Sequence, residues 1–272
     1  VLWTTQTGSV ASSAGSSTAF SGAIGFQSGS SNAKGAWNQM IAATTYTAYG
    51  LYFTDREPKS ENAQDQAGLI DIGVGGSGSE RVIVPNLITG DNGGPVTYFL
   101  PILIPGGSRI AVRAQNANAS TKNTTGIMTL GASAAQPVLG RATDYGTVTA
   151  SSGGTAVYTG TLAANTKSPW TQLVASTTAP IRYLLPMIQI PAGTSIDTFP
   201  GLVDIGVGGS GSESVIFPDI SVRGTLNELG LMPVQGAWID VPAGSRLSAR
   251  WQYDNANPTS SVAPRVSVIG FG

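Results

Sequence analysis

Neither Cys nor His occurs among the 272 residues, and those two absences set what chemistry the chain can carry. Without Cys there is no disulfide, thiolate metal site or cysteine nucleophile. Without His the usual general base and the commonest transition-metal ligand are missing. Carboxylates, Lys, Arg and hydroxyls remain. Glycoside hydrolysis needs only two carboxylates, set about 5 to 9.5 Å apart, and the densest acidic stretch is Asp55-Arg-Glu57-Pro-Lys-Ser-Glu61, continuing to Asp65. Its mixed signs and flanking Asn and Gln read as a solvated loop, so no catalytic residue is assigned.

Gly73-x-Gly75-x-x-Gly78 and Gly206-x-Gly208-x-x-Gly211 both match the dinucleotide-binding pattern after a strand-like run. That pattern works only where it opens a helix whose N-terminus holds the pyrophosphate. Here Arg81-Val-Ile-Val84 and Ser214-Val-Ile-Phe217 follow, each closed by Pro, and both read as strands. The expectation is a repeated hairpin turn, in which Gly supplies positive φ. No Lys-Ser or Lys-Thr follows, which excludes a P-loop, and no cofactor is expected.

Asp71, Glu80, Arg109 and Arg113 recur as Asp204, Glu213, Arg246 and Arg250, eight of only 14 Lys and Arg and 15 Asp and Glu. Either they converge in a cleft as a chemical site, or they pair across adjacent strands and cap the Gly-Ser turn; a repeated subunit contact is the third reading. Pairing within the sheet is the expectation. Asn116-Ala-Asn118 and Asp254-Asn-Ala-Asn257 offer oxygens but lack calcium-loop spacing, so Asx-turn chemistry is expected and no metal site is assigned. Trp37 and Trp170, at equivalent positions beside apolar strands, are expected in the core, whereas Trp238, in Ala237-Trp-Ile-Asp240 of the second copy only, is the freer aromatic.

The elements that must position these residues come twice. Gly68-Leu-Ile-Asp-Ile-Gly-Val-Gly-Gly-Ser-Gly-Ser-Glu80 reappears as Gly201-Leu-Val-Asp-Ile-Gly-Val-Gly-Gly-Ser-Gly-Ser-Glu213. In the same register Trp37-x-Gln39 falls on Trp170-x-Gln172 and Val82-Ile83-x-Pro85 on Val215-Ile216-x-Pro218. Ser108-Arg-Ile-Ala-Val-Arg113 then matches Ser245-Arg-Leu-Ser-Ala-Arg250, and Ile127-Met-Thr-Leu-Gly131 matches Val266-Ser-Val-Ile-Gly270. Two tandem copies, 1–137 and 138–272, follow, with the boundary near Gln136-Pro137. In that register Ile188-Gln-Ile190 stands against the acidic Asp55-Arg-Glu57, so this element is expected to face solvent in one copy and a neighbour in the other.

Alternation gives the faces. Ile70, Ile72 and Val74 share one side of their strand; Ile110, Val112 and Ala114 are expected inside, as are Leu247, Ala249 and Trp251. With 36 Gly and 16 Pro spread along the chain and no long helical pattern, each copy reads as about seven or eight short strands. That count suits a tandem pair of antiparallel β-sandwiches of jelly-roll-like form, an all-β fold. Apolar residues reach 41%, while charged ones are only 11% against an ordinary share of about 25%. A net charge of −1 provides no basic footprint for nucleic acid. No apolar run approaches the roughly 20 residues that span a bilayer, and the first residues lack a signal-peptide plan, so a soluble chain without membrane insertion is expected.

The lead-ins Pro-Gly-Gly-Ser-Arg-Ile110 and Pro-Ala-Gly-Ser-Arg-Leu247, the Gly-Ser turns, the abundant Thr, Ala and Asn and the missing Cys and His resemble structural proteins of tailed-bacteriophage virions over most of the chain. The resemblance implies a non-enzymatic subunit of the particle exterior, of head-decoration, head-spike or tail-accessory type. Its location would be the virion, and its partners copies of itself as a homo-oligomer and capsid or tail subunits. The alternative is a carbohydrate-binding receptor-binding protein or adhesin whose partner is a host-surface glycan. Candidate assembly or ligand contacts are Ile188, Ile190, Trp238, Arg109, Arg113, Arg246 and Arg250.

Overall fold

The computed structural model describes residues 4–8, 24–27, 29–55, 68–89, 96–117, 122–131, 139–160, 162–189, 199–224, 231–232, 235–254 and 263–272. The first half contributes β1 (Thr4–Gly8), β2 (Ile24–Gln27), β3 (Asn38–Ile41), β4 (Ala48–Asp55), β5 (Gly68–Val74), β6 (Arg81–Thr89), β7 (Val96–Leu100), β8 (Ile110–Asn116) and β9 (Lys122–Gly131). The second contributes β10 (Ala142–Tyr145), β11 (Thr147–Val148), β12 (Gly153–Ala156), β13 (Thr171–Val174), β14 (Ile181–Gln189), β15 (Phe199–Val207), β16 (Ser214–Gly224), β17 (Leu231–Met232), β18 (Ala237–Val241), β19 (Leu247–Tyr253) and β20 (Arg265–Phe271). A single 3-10 turn, Thr149–Ser151, lies between β11 and β12, and there is no α-helix among the described residues.

All pairings are antiparallel. A first sheet runs β1-β9-β4-β7, with β2 continuing beside β9, and a second runs β3-β8-β5-β6. The second half repeats both orders. Its third sheet places β10 and β12 beside β20, then β14, then β17 and β18, and its fourth runs β13-β19-β15-β16. Each half is thus a two-layer sandwich in which strands from opposite ends of that half lie side by side, the strand order of a jelly roll. The turns follow from Gly chemistry: Gly75 and Gly78 (φ 132° and 82°) shape the β5–β6 hairpin, and Gly208 and Gly211 (127° and 81°) shape β15–β16. No helix opens there, as the strand-like runs predict.

Alternation fixes the cores. Leu51 and Phe53 of β4, Ile70 and Ile72 of β5 and Val112 and Ala114 of β8 fill the space between the first two sheets. Ile188 of β14, Val203 and Ile205 of β15 and Leu247, Ala249 and Trp251 of β19 fill the second sandwich. The third sheet is buried on both sides. Leu184 and Ile188 with Val266 and Val268 face its own sandwich, while Tyr183, Leu185 and Met187 with Ile269 and Phe271 join the first core. A strand covered on both faces reads as a nearly unbroken apolar run, and Tyr183-Leu-Leu-Pro-Met-Ile188 is one.

The outer face of the third sheet therefore closes the β6–β7 edge of the first half. The Ile88 N–H donates to Met187 Sδ at 3.3 Å, Asn86 Nδ2 to Asp144 Oδ2 at 3.0 Å, and the Leu103 N–H to the Leu139 carbonyl at 2.9 Å. Beside this edge the 149–152 turn laps over the second sheet, where Gln115 Nε2 donates to Ser152 Oγ at 3.1 Å and Ser152 Oγ donates to Asn32 Oδ1 at 2.8 Å. The Gln136-Pro137 boundary lies outside the described residues.

Candidate functional site

The recurring charges sit on the outer faces of the second and fourth sheets, because β5 and β15 turn Asp71 and Asp204 away from the inward Ile side chains. The register sets Asp71 opposite Arg113 and Asp204 opposite Arg250. Asp71 accepts from Arg113 Nε at 2.8 Å, Lys34 Nζ at 2.7 Å and the Asn86 backbone N–H at 3.0 Å. Asp204 accepts from Arg250 Nε, Lys167 Nζ and the Asp219 N–H, each at 2.8 Å. Asn86 and Asp219 have positive φ (50° and 49°) at a register shift after Pro85 and Pro218. Each buried Asp thus pins a bulge in the edge strand as well as two cations.

Each guanidinium is also stacked: Arg113 lies 4.6 Å from the Trp37 ring centre and Arg250 4.4 Å from that of Trp170. The indoles cover Gly73 and Gly206, where an added Cβ would come within 2.6 and 2.7 Å of the rings. These two Trp are half-buried on the outer faces. The expectation of core packing is corrected: the Arg and the glycine track hold each ring outside.

A second pair caps the hairpin. Arg109 Nη1 donates to Glu80 Oε1 at 2.6 Å and Nε to Gln39 Oε1 at 2.9 Å, and Arg246 binds Glu213 and Gln172 in the same way. Burial pushes both carboxyls up, but the Arg and the turn N–H groups outweigh it and hold them below the usual carboxylate value. Asp204 behaves alike: burial raises it, and Lys167, the Asp219 N–H and Arg250 bring it lower. Burial lowers the Lys34 pKa in spite of the opposing pull of Asp71. Each of these carboxylates is held by an Arg, and Glu80 Oε2 and Glu213 Oε2 are buried without a hydrogen-bond partner. Among the described residues, no three acidic side chains converge to hold a metal.

The remaining feature is aromatic. Tyr52, Phe99, Tyr183 and Trp238 run across the seam between the first and third sheets, with ring centres 5.3, 6.3 and 5.3 Å apart in that order. Burial, with a contribution from Tyr52, pushes the Tyr183 hydroxyl up to about 12. Trp238, at the outer end on β18, is 51% exposed, and the exposed Arg182–Asp240 ion pair lies beside it.

The four Arg candidates therefore serve ion pairs inside the sheets, as expected, and Trp238 packs on Tyr183 with about half of its surface exposed. Ile188 is fully buried in its own sandwich and faces no neighbour, which corrects the expectation for it; Ile190 lies outside the described residues. The reason is register. Ile188 pairs with Val266 as Phe53 pairs with Ile127, so its counterpart is the core residue Phe53 and not Asp55, two residues further on. Positions 56–67, Asn118, Asn255 and Asn257 also lie outside the described residues. Lys34 and Lys167 were missed as cluster members, yet each precedes its Trp by the same spacing, and the duplication register alone marks them.

No family model matches the chain, and no curated protein matches it. Among solved structures, PNGF-II is similar at 10% identity, over 92% of this chain and 65% of that one, with a TM-score of 0.39; the chain thus spans less than two thirds of its length. PNGase F, a glycosylasparaginase from Flavobacterium meningosepticum, is similar at 10% identity, covering 100% of this chain and 96% of that one with a TM-score of 0.40. A tandem CBM22 domain of Xyn10C from Paenibacillus barcinonensis is similar at 10% identity, over 99% and 93%, with a TM-score of 0.28. Scores of this size carry no argument about activity. No helix of the described residues is long and apolar enough to cross a membrane.

Proposed function

We propose that this chain is a non-enzymatic structural subunit that acts through protein–protein assembly, as a decoration or accessory component on the exterior of a bacteriophage particle. The observation that carries the reading is the fate of the eight recurring charges: all of them are held in short ion pairs inside their own sheets, twice over in one geometry. Side chains so fixed hold a surface in shape and are not themselves placed to attack or protonate a substrate. The particle setting follows the sequence resemblance. Mass photometry and sedimentation velocity across a wide concentration range test the assembly, with discrete oligomers expected. A chain that stays monomeric at millimolar concentration overturns it. Capsid, portal or tail genes beside the coding sequence are the expected neighbours.

One observation favours a second reading, a glycan-binding module. Trp238 is half in solvent, edge-on to Tyr183 and beside an ion pair, the kind of platform on which a sugar ring stacks. A glycan array that lights up with the native chain and goes dark with Trp238→Ala would select it.

A further inference from the structure

The edge strands β6 and β16 hold the same place in their sheets: Ile72 pairs with Val84 as Ile205 pairs with Phe217, and Ile70 with Leu87 as Val203 with Ile220. Their surroundings differ. On β6, Ile83 is 5% exposed and Val84, Leu87 and Ile88 are fully sealed, whereas on β16, Ile216, Phe217 and Ile220 are half-exposed and Val215 is 41% exposed. The neighbouring row repeats the contrast, with Leu69 and Gln115 buried and Leu202 and Gln252 half-exposed. What covers β6 is the outer face of the third sheet, from the other half of the same chain.

We infer that the uncovered β16 edge docks a second copy of this chain head to tail, against the outer face of that copy's first sheet. The inference rests on the assembly reading above. The first and third sheets share one strand order, so the face that receives β6 has a counterpart in the first sheet, where among the described residues Thr97 is exposed and Tyr52 and Phe99 are half-buried, and the β16 edge is left over. Leftovers of that kind build a heterologous contact, which closes into a ring or extends as a filament.

Two details define the mode of contact. Pro218 lacks an N–H, and Asp219 has φ of 49°, so the edge ladder is broken and strand addition is blocked. The occupant covers side chains, as the third sheet covers β6. The polar partners also exchange roles. Asn86, at Asp219's place, donates to Asp144 across the internal junction; Asp144 pairs with Ile269 as Thr5 pairs with Leu130. The intermolecular contact thus sets the Asp219 carboxylate, 60% exposed, at the strand position of Thr5. On the receiving face, half-buried Tyr52 stands at the place of Met187 by the same register.

The test compares the full chain with Val215→Lys, Ser221→Arg and Tyr52→Lys by sedimentation velocity, with thermal melts as the check on folding. Each variant is expected to weaken self-association by about 100-fold. A one-to-one mixture of Ser221→Arg with Tyr52→Lys is expected to give dimers and nothing larger, because each keeps one competent surface. If the two edge variants assemble like the native chain, the β16 contact is wrong while assembly stands. If Tyr52→Lys assembles normally while the edge variants are monomeric, the edge meets its own copy and the head-to-tail contact is wrong. A native chain that never associates removes the assembly reading and this contact together.

Discussion

Ile88 on β6 and Ser221 on β16 hold matching positions, and one is fully sealed while the other stands in solvent. The strands around them share a register, a proline, a positive-φ residue and an Asp-centred ion cluster. The difference lies in what is laid over them. A sheet with two apolar faces serves both sandwiches, so the first half borrows its cover from the second, and the second has none to borrow. Burial at an edge is therefore a property of the assembly of elements and not of the strand's own sequence.

The harshest way to break that comparison is a charge at the sealed edge. Ile88→Asp buries a carboxylate against Met187 and is expected to cost about 4 kcal/mol or to prevent folding. Ser221→Asp places the same group in solvent and is expected to change stability by less than about 0.5 kcal/mol. Urea denaturation of both variants checks this, and equal losses would contradict the described cover.

At the ion clusters the halves should instead behave alike. Asp71→Asn and Asp204→Asn each leave two cations and a bulge N–H short of a full carboxylate partner, and a loss of about 3 kcal/mol is expected for each. Acid probes the same groups. Asp204, Glu80 and Glu213 have folded pKa values held low, so their contribution is complete above the ordinary carboxylate range and is lost as pH falls through the lower folded values. Stability followed by denaturant titration is expected to fall from about pH 4 downward. Asp204→Asn should flatten that slope, and an unchanged slope would remove Asp204 from the account.

Much of this was legible in the sequence, for reasons that show where reading stops. The Gly-Ser turns, the inward Ile70, Ile72, Leu247 and Trp251 and the Arg–carboxylate pairs follow from period-two alternation and a repeated block, both local signals. Trp37 and Trp170 were misplaced because a stacked Arg and a facing glycine, which come from other strands, decide which side of the sheet an indole occupies. Ile188 was misassigned because the sequence alignment sets it against the charged Asp55, whereas the cross-strand pairing sets it two residues away, at the place of the core residue Phe53 on the same face of the strand. The shared third sheet left a trace in the unbroken apolar run Tyr183–Ile188, but alternation alone cannot name the second surface that such a strand covers.

The glycine track offers a finer measure. Gly73→Ala and Gly206→Ala each push a methyl into an indole that is half in solvent and stacked on an Arg, so about 2 kcal/mol is expected from either. Because rings, Arg partners and distances match, the two losses should agree within about 0.5 kcal/mol. A clear inequality would mean that the cover on the first half reaches further across the second sheet than Leu69 and Gln115.

The smallest effect isolates the polar part of that cover. Gln115 is buried and donates to Ser152 from the other half, whereas Gln252 occupies its place half-exposed. Removing a buried side-chain hydrogen bond and leaving its partner unsatisfied costs about 1 to 2 kcal/mol, so Gln115→Ala should lower stability by that much and Gln252→Ala by almost nothing. Ser152→Ala, which keeps Gln115 but removes the hydroxyl joining it to Asn32, should not add its full cost to Gln115→Ala, because both delete one network. A double-mutant cycle giving full additivity would place the two residues in separate contacts.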